Sequence, residues 1–330
     1  MNISLPPASA PAAPVHALRG QTMGTTWSVH CVSASRVDLH ALHDAIQARL
    51  DRVVAQMSTW EADADIMRFN RMSGGEWFAL QDDFLRVLGT ALDIAATSDG
   101  AFDPTISPLV GAWGFGAHAG ALGRPAEADL VIARARVGWQ QLRFDPDQRR
   151  VSQPGGVMLD LSAIAKGYGV DVVASLLRGR GFDAALIEVG GELYGYGRKA
   201  DGTPWRVLVE SSPDEEADAE GLAPRVLALD GLAVATSGDR WHAYSQDGRC
   251  YSHTIDPRSG EPVTDAAAAV TVVATDAMHA DAWATALTVM GATEGYAFAR
   301  GHGLAARFLQ RTADGLRETM TPDFERHLAA

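Results

Sequence analysis

Leu159-Asp160-Leu161-Ser162-Ala163-Ile164-Ala165-Lys166-Gly167-Tyr168-Gly169-Val170-Asp171 is the stretch around which the chain is organised. Its apolar start predicts a strand ending at Leu159. The residues from Ser162 to Leu177 predict a helix. Asp160 and Ser162 stand where N-cap residues stand, with side-chain oxygens able to accept the orphan N–H groups of a first turn. The junction also gathers free backbone amides at the positive end of a helix, a seat for an anion. Lys166 adds a charge one turn further on. Gly167 and Gly169 are costly inside a helix, which implies that something approaches closely there. Read alone, the stretch is equally a capped helix start with an exposed lysine.

On its N-terminal side, Met23–Val32 is β-branched and aromatic and predicts a strand, with Gly24 marking a closely approached backbone. Leu39, Leu42, Ile46, Leu50, Val53 and Met57 recur at three- and four-residue steps. They predict an amphipathic helix entered through a capping box of Ser35 and Asp38. Trp60 follows, either as a core side chain or as a ring that stacks on a ligand. Ile66–Asn70 predicts a helical turn, and Phe84 to Ala95 a second long helix that stops at Gly100. Pro104 and Pro108 bar a regular helix from the next segment. It reads as a shaped loop carrying Asp103 and Trp113. Leu142–Val151 predicts a hairpin around Asp145-Pro146-Asp147.

On the C-terminal side, Ala184–Val189 predicts an apolar strand ending in Glu188-Val189-Gly190-Gly191-Glu192, where paired glycines can offer amides to an anion. The acidic run Pro213–Glu220 reads as a solvated loop. Strands are expected at Val226–Leu229, Ala233–Thr236, Cys250–Ile255 and Val270–Ala274. His253 precedes the turn Asp256-Pro257-Arg258-Ser259-Gly260, as a core or turn residue or as a functional one. Asp276 caps a helix through Met290. Asp281 and Thr285 share one face of it at i and i+4, as a local hydrogen bond or as paired oxygen donors. Strands and helices mix without strict alternation, which predicts an α+β fold with largely antiparallel sheets.

Composition narrows the function classes. The 330 residues are 47% hydrophobic and 21% charged, as in a globular enzyme-sized protein, and the formal net charge is −13. That charge disfavours a nucleic-acid backbone or an anionic membrane as partner, and a polyanionic ligand would need a local cation or a metal. The two cysteines, Cys31 and Cys250, lack metal-type spacing and read as buried thiols. No apolar run has transmembrane length. The Pro/Ala/Ser-rich start lacks the regions of a signal peptide. Residues 1–20 are expected to form a flexible leader before a domain over 21–330. With no export signal or lipobox cysteine, a cytoplasmic location is expected; a periplasmic one follows if the chain is a processed form.

Taken in order, Met23-Gly24-Thr25, Ser58-Thr59-Trp60, Ala101-Phe102-Asp103-Pro104, Leu159 to Asp171, Glu188 to Glu192, Thr236-Ser237-Gly238-Asp239, His253 to Gly260 and Ala280 to Leu287 resemble the ApbE family. These are the FAD:protein FMN transferases that flavinylate other proteins. The resemblance spans Gln21 to Gly291. It implies a T-fold-like α+β architecture, FAD as substrate and Mg²⁺ as cofactor. It assigns the flavin nucleotide to Met23, Trp60, Ala101, Phe102, Asp103, Asp160, Lys166 and Ile255. It assigns Mg²⁺ to the Ala163 carbonyl, Asp281 and Thr285, all hard oxygens. The implied reaction transfers FMN to a threonine hydroxyl of an acceptor protein and releases AMP, with Lys166 neutralising phosphoryl charge. His253 is the expected base, because an unperturbed imidazole titrates near neutral pH. Asp256 is the reserve. The alternatives are a Mg²⁺-dependent FAD pyrophosphatase and a non-catalytic FAD-binding protein.

Overall fold

The structure is a computed structural model. It describes residues 13–33, 36–117, 119–120, 123–209, 225–238, 243–246, 249–263, 269–312 and 315–329. Its frame is an eight-stranded sheet. The strands are β1 (Val15–Thr22), β2 (Thr25–Val32), β3 (Ala184–Val189), β4 (Glu192–Tyr196), β5 (Leu232–Gly238), β6 (Ala269–Ala274), β7 (Ala305–Thr312) and β8 (Gly315–Met320). Spatial order equals chain order, and every neighbouring pair is antiparallel. The fold is thus α+β, as the mixed pattern predicts. The sheet takes shape from alternation. In β2, Trp27, Val29 and Cys31 are buried while the residues between them are not, so one face turns to the core.

Among the described residues there are four long helices: α1 (Leu39–Met57), α2 (Asp82–Thr97), α3 (Ser162–Gly179) and α4 (Ala277–Gly301); α1, α3 and α4 pack on the sheet, and α2 packs on the other helices. The first three belong to a long insertion between β2 and β3. α3 lies at its centre and is apolar on two sides. Ile164, Ala165, Tyr168 and Val172 pack with Phe84, Val87 and Leu88 of α2. Val170, Val173, Ala174 and Leu177 pack on Trp27, Val29, Ile187 and Val189 of the sheet. The opening stretch is therefore sandwiched between the sheet and the inserted helices. α4 lies against α3 at Gly167, where a Cβ would fall 2.1 Å from the Ala277 carbonyl oxygen. The close approach expected at that glycine is contact between the two helices.

Several expectations change. The stretch before α3 is not a strand; Met158 makes a single bridge to Ile106. Leu159 is held instead by the Asn70 amide, which donates to its carbonyl (2.9 Å) and accepts its N–H (2.8 Å). Leu161 occupies the N-cap of α3, and Asp160 accepts the Ser162 N–H from one residue earlier (2.8 Å). β2 begins at Thr25. Met23 and Gly24 form the two-residue turn from β1, both at positive φ (51° and 71°), the conformation that a tight hairpin requires. β1 starts at Val15, so the expected boundary at residue 20 falls inside a strand. Its outer edge is covered by His43 Nε2 on the Arg19 carbonyl (3.1 Å) and by Gln47 donating to the Gln21 carbonyl (3.0 Å). The proline-bearing loop contains a short helix, Ser107–Ala112, because Pro108 falls in its first turn, where no N–H is needed. The 250–255 strand is broken at His253 and Thr254. α4 runs past Met290 to Gly301 through a kink at Gly291 (φ 75°).

Asp38 is itself the N-cap of α1, accepting from His40 and Ala41 (both 3.1 Å). Ser35, Asp239 and the acidic run 213–220 lie outside the described residues. Cys31 is buried, and burial pushes its thiol up to about 11. Among the described residues, no helix is long and apolar enough to cross a membrane.

Candidate functional site

A cleft of about 1290 Å³ opens between the sheet and the inserted loops. Met23, Trp60, Ala101, Phe102, Asp103, Asp160, Ala163, Lys166, His253, Ile255, Asp281 and Thr285 all line it. Residues from six separate segments thus meet in one place. Trp60 is 73% exposed, which excludes a core role and leaves its ring free at the cleft. Asp256 does not line the cleft. Its carboxylate is gripped by the Arg258 side chain (3.0 and 3.1 Å) and accepts the Arg258 N–H (2.8 Å), so it closes the turn.

Two loops are pinned together at the entrance to α3. The Asp160 N–H donates to the Pro104 carbonyl (2.8 Å). Asp103 accepts from the Thr105 N–H (2.8 Å), the Thr105 hydroxyl (2.6 Å) and the Trp139 N–H (3.0 Å). Burial pushes the Asp103 carboxyl up, and those donors pull it back. Asp103 therefore shapes the Ala101–Thr105 loop as well as facing the cleft. Ile255 is buried against Trp113 and Leu109. His253 is half-buried, with its ring edge-on to Phe115 at 6.4 Å.

The floor of the cleft is a charge cluster. Lys166 forms an ion pair with Glu192, which is 3% exposed. Burial works against the lysine charge, but Asp281 and Glu192 outweigh it and hold the ammonium above its ordinary range. Burial pushes the Asp281 carboxyl up, while Lys166 and the Gly167 N–H oppose it. Glu192 is the residue that sequence reasoning missed. It reads as a turn carboxylate after two glycines, and nothing local reveals that it points inward. Its Oε2 is buried without a hydrogen-bond donor.

The position of α4 sets the Asp281 and Thr285 donors. Asp171 of α3 accepts the Ala277 N–H (2.8 Å) and the Met278 N–H (2.9 Å), and Asp276 accepts that of His279 (3.0 Å). These bonds satisfy the first turn. Asp281 Oδ2 then accepts the Gly167 N–H at 3.0 Å. A regular helix would give that hydrogen to the Ala163 carbonyl, so Asp281 competes for it and leaves Ala163 oxygen lone-pair capacity. Among the described residues, no group of three or more His, Cys, Asp or Glu side chains converges as a metal cluster. The donors present are a buried carboxylate, a hydroxyl and a backbone carbonyl, with the orphaned Glu192 oxygen nearby in the same cluster. All are hard oxygens, and they fit a small divalent cation that retains water ligands.

Fold and cleft together define a class: an antiparallel α+β protein whose long insertion closes one deep cleft with a lysine–carboxylate floor. The ApbE family model matches residues 23–308. The FAD:protein FMN transferase of Vibrio cholerae is 36% identical over 321 residues, 97% of this chain and 94% of that protein. That of Escherichia coli K12 is 32% identical over 327 residues, 98% and 92%. The solved apo structure of the flavinyl transferase ApbE of Pseudomonas stutzeri superposes with a TM-score of 0.88 at 37% identity, covering 96% of this chain and 98% of that one. The chain belongs to the ApbE family.

Proposed function

We propose that this chain transfers the FMN half of FAD to a threonine hydroxyl of an acceptor protein and releases AMP. The observation that carries this reading is the convergence of Lys166, Ala163, Asp281 and Thr285 in one cleft with the free ring of Trp60. The names of the relatives, FAD:protein FMN transferase, support it.

Met23, Trp60, Ala101, Phe102, Asp103, Asp160, Lys166 and Ile255 receive the flavin nucleotide. The Ala163 carbonyl, Asp281 and Thr285 would hold Mg²⁺, which when bound would supply positive charge to offset that of the phosphoryl oxygens. Lys166 donates to a phosphoryl oxygen and stabilises charge as it develops. The threonine oxygen attacks the phosphorus of the FMN half. The bond from that phosphorus to the bridging oxygen breaks, and AMP leaves with the electron pair. The hydroxyl proton passes to the His253 imidazole, since His253 faces the cleft and Asp256 is occupied by Arg258.

Incubation with FAD, MgCl₂ and a threonine-bearing acceptor protein tests the reading. Covalent FMN on the acceptor is the expected product. Free FMN and AMP with an unmodified acceptor would make the chain a pyrophosphatase, with water in place of threonine.

A further inference from the structure

Strand β5 carries an edge that its neighbour does not cover. It pairs with β6 along Ala233–Gly238, but with β4 only through Leu232, Ala233 and Val234. The reason is local: β4 begins at Glu192, directly behind the Gly190–Gly191 turn, where both glycines have positive φ (60° and 102°). From Ala235 to Gly238, the side that β4 has left pairs with no described strand. Alternate residues there turn N–H and C=O groups outward, and Ala235 is buried while the next three are half-buried. Backbone groups in such a setting call for partners.

The open edge lies at the site. Val234, the last residue covered by β4, pairs with Leu193, the neighbour of Glu192, and Glu192 holds Lys166. Thr236, Ser237 and Gly238 line the same cleft as Lys166, His253 and Asp281. Four extended residues span about 13 Å. The cleft volume of about 1290 Å³ exceeds the roughly 300–1,000 Å³ of ordinary small-molecule sites, leaving room for a second substrate.

We propose that the acceptor polypeptide binds as an extended segment that adds a strand to this edge of β5, in the place and direction that β4 vacates. Its threonine is thereby delivered to the Lys166 end of the cleft. Main-chain hydrogen bonds supply affinity, as in other strand-addition interfaces. The cleft selects by charge: the lining carries Asp103, Asp160, Glu188, Glu192 and Asp281 against Lys166. An acidic side chain beside the threonine is repelled, so the segment is neutral or basic there. The inference rests on the FMN-transfer reading.

A library of nine-residue peptides with a central threonine and randomised flanks tests it, incubated with the full chain, FAD and MgCl₂ and read by mass spectrometry. The best-labelled peptide is then remade with single backbone N-methyl groups. Labelled peptides poor in Asp and Glu next to threonine are expected. N-methylation at alternate positions should raise KM about 3- to 10-fold, the equivalent of one lost hydrogen bond, and spare the positions between. An aperiodic response would overturn strand addition. So would a wholly unlabelled library in mixtures where a threonine-bearing acceptor protein is labelled, and that result would leave FMN transfer standing. If the acceptor protein were unlabelled too, both would fail.

Discussion

Lys166 sits with two buried carboxylates, and each of the three sets the charge of the others. Removing the ammonium therefore does two things: it deletes the proposed phosphate donor and leaves Glu192 and Asp281 facing each other. Lys166→Ala should weaken FAD binding by about 1.5–3 kcal/mol, the range for a charge-assisted hydrogen bond, measured by titration calorimetry. Unchanged affinity together with an unchanged rate would remove Lys166 from the site. Asp281→Ala should abolish the response of FAD cleavage to added Mg²⁺ and the Mg²⁺ binding heat, while the far-UV spectrum stays native. Wild-type transfer at limiting Mg²⁺ would contradict the ligand assignment. His253→Ala should bind FAD normally yet transfer FMN ~10²–10⁴-fold more slowly, the usual loss for a general base. Near wild-type single-turnover transfer would reject that role. The sequence exposed these residues because each stands in a motif of distinctive composition. Glu192 and Asp171 close two of the quoted motifs, yet their roles stayed hidden. Burial of a carboxylate behind a glycine turn, and a cap supplied 106 residues away from Ala277, leave no local trace.

The pair α3–α4 is the element on which the site's geometry depends. Gly167 allows the helices to touch, and its N–H fixes Asp281. Gly167→Ala would place a methyl group 2.1 Å from a backbone oxygen that cannot rotate away. The helices must part, and overpacking of this kind costs about 1–3 kcal/mol. A lowered denaturant midpoint with slower FAD cleavage is expected; an unchanged midpoint would show that the contact is loose. Asp171, which holds the start of α4, gives a pH signature. Burial outweighs its two N–H donors and pushes its carboxyl up to about 6, with Asp276 raising it further and Arg86 opposing. The unfolded value is about 3.9. Between about pH 4 and 6 the folded chain keeps a proton that the unfolded chain has lost, so this group's contribution to stability falls as pH rises through that window. The stability of wild type relative to Asp171→Asn should decline from pH 4 to pH 6.5 in denaturation series. A pH-independent difference would contradict the raised value. Helices were the legible elements, because their three- and four-residue periods survive in α1 and α2. The sheet's edges were less so. β1 has a mostly half-exposed face, and its order comes from pairing with β2 and from the α1 side chains His43 and Gln47 on its edge, which no local pattern encodes.

At the scale of the whole molecule, a sheet running in simple chain order is interrupted by insertions, a long one between β2 and β3 and another between β5 and β6, and the cleft forms where they fold back on the sheet. That arrangement explains why the site residues come from widely separated segments. It also explains why their convergence, unlike their identity, needed the structure. The central claim is that this cleft moves FMN from FAD to protein. The most direct test counts both products of one reaction: covalent FMN on an acceptor protein, by intact mass, and AMP released, with Mg²⁺ present and after chelation. The account predicts one covalent FMN per AMP with Mg²⁺ and neither product after chelation. AMP released without covalent FMN, or transfer that persists after chelation, would contradict it.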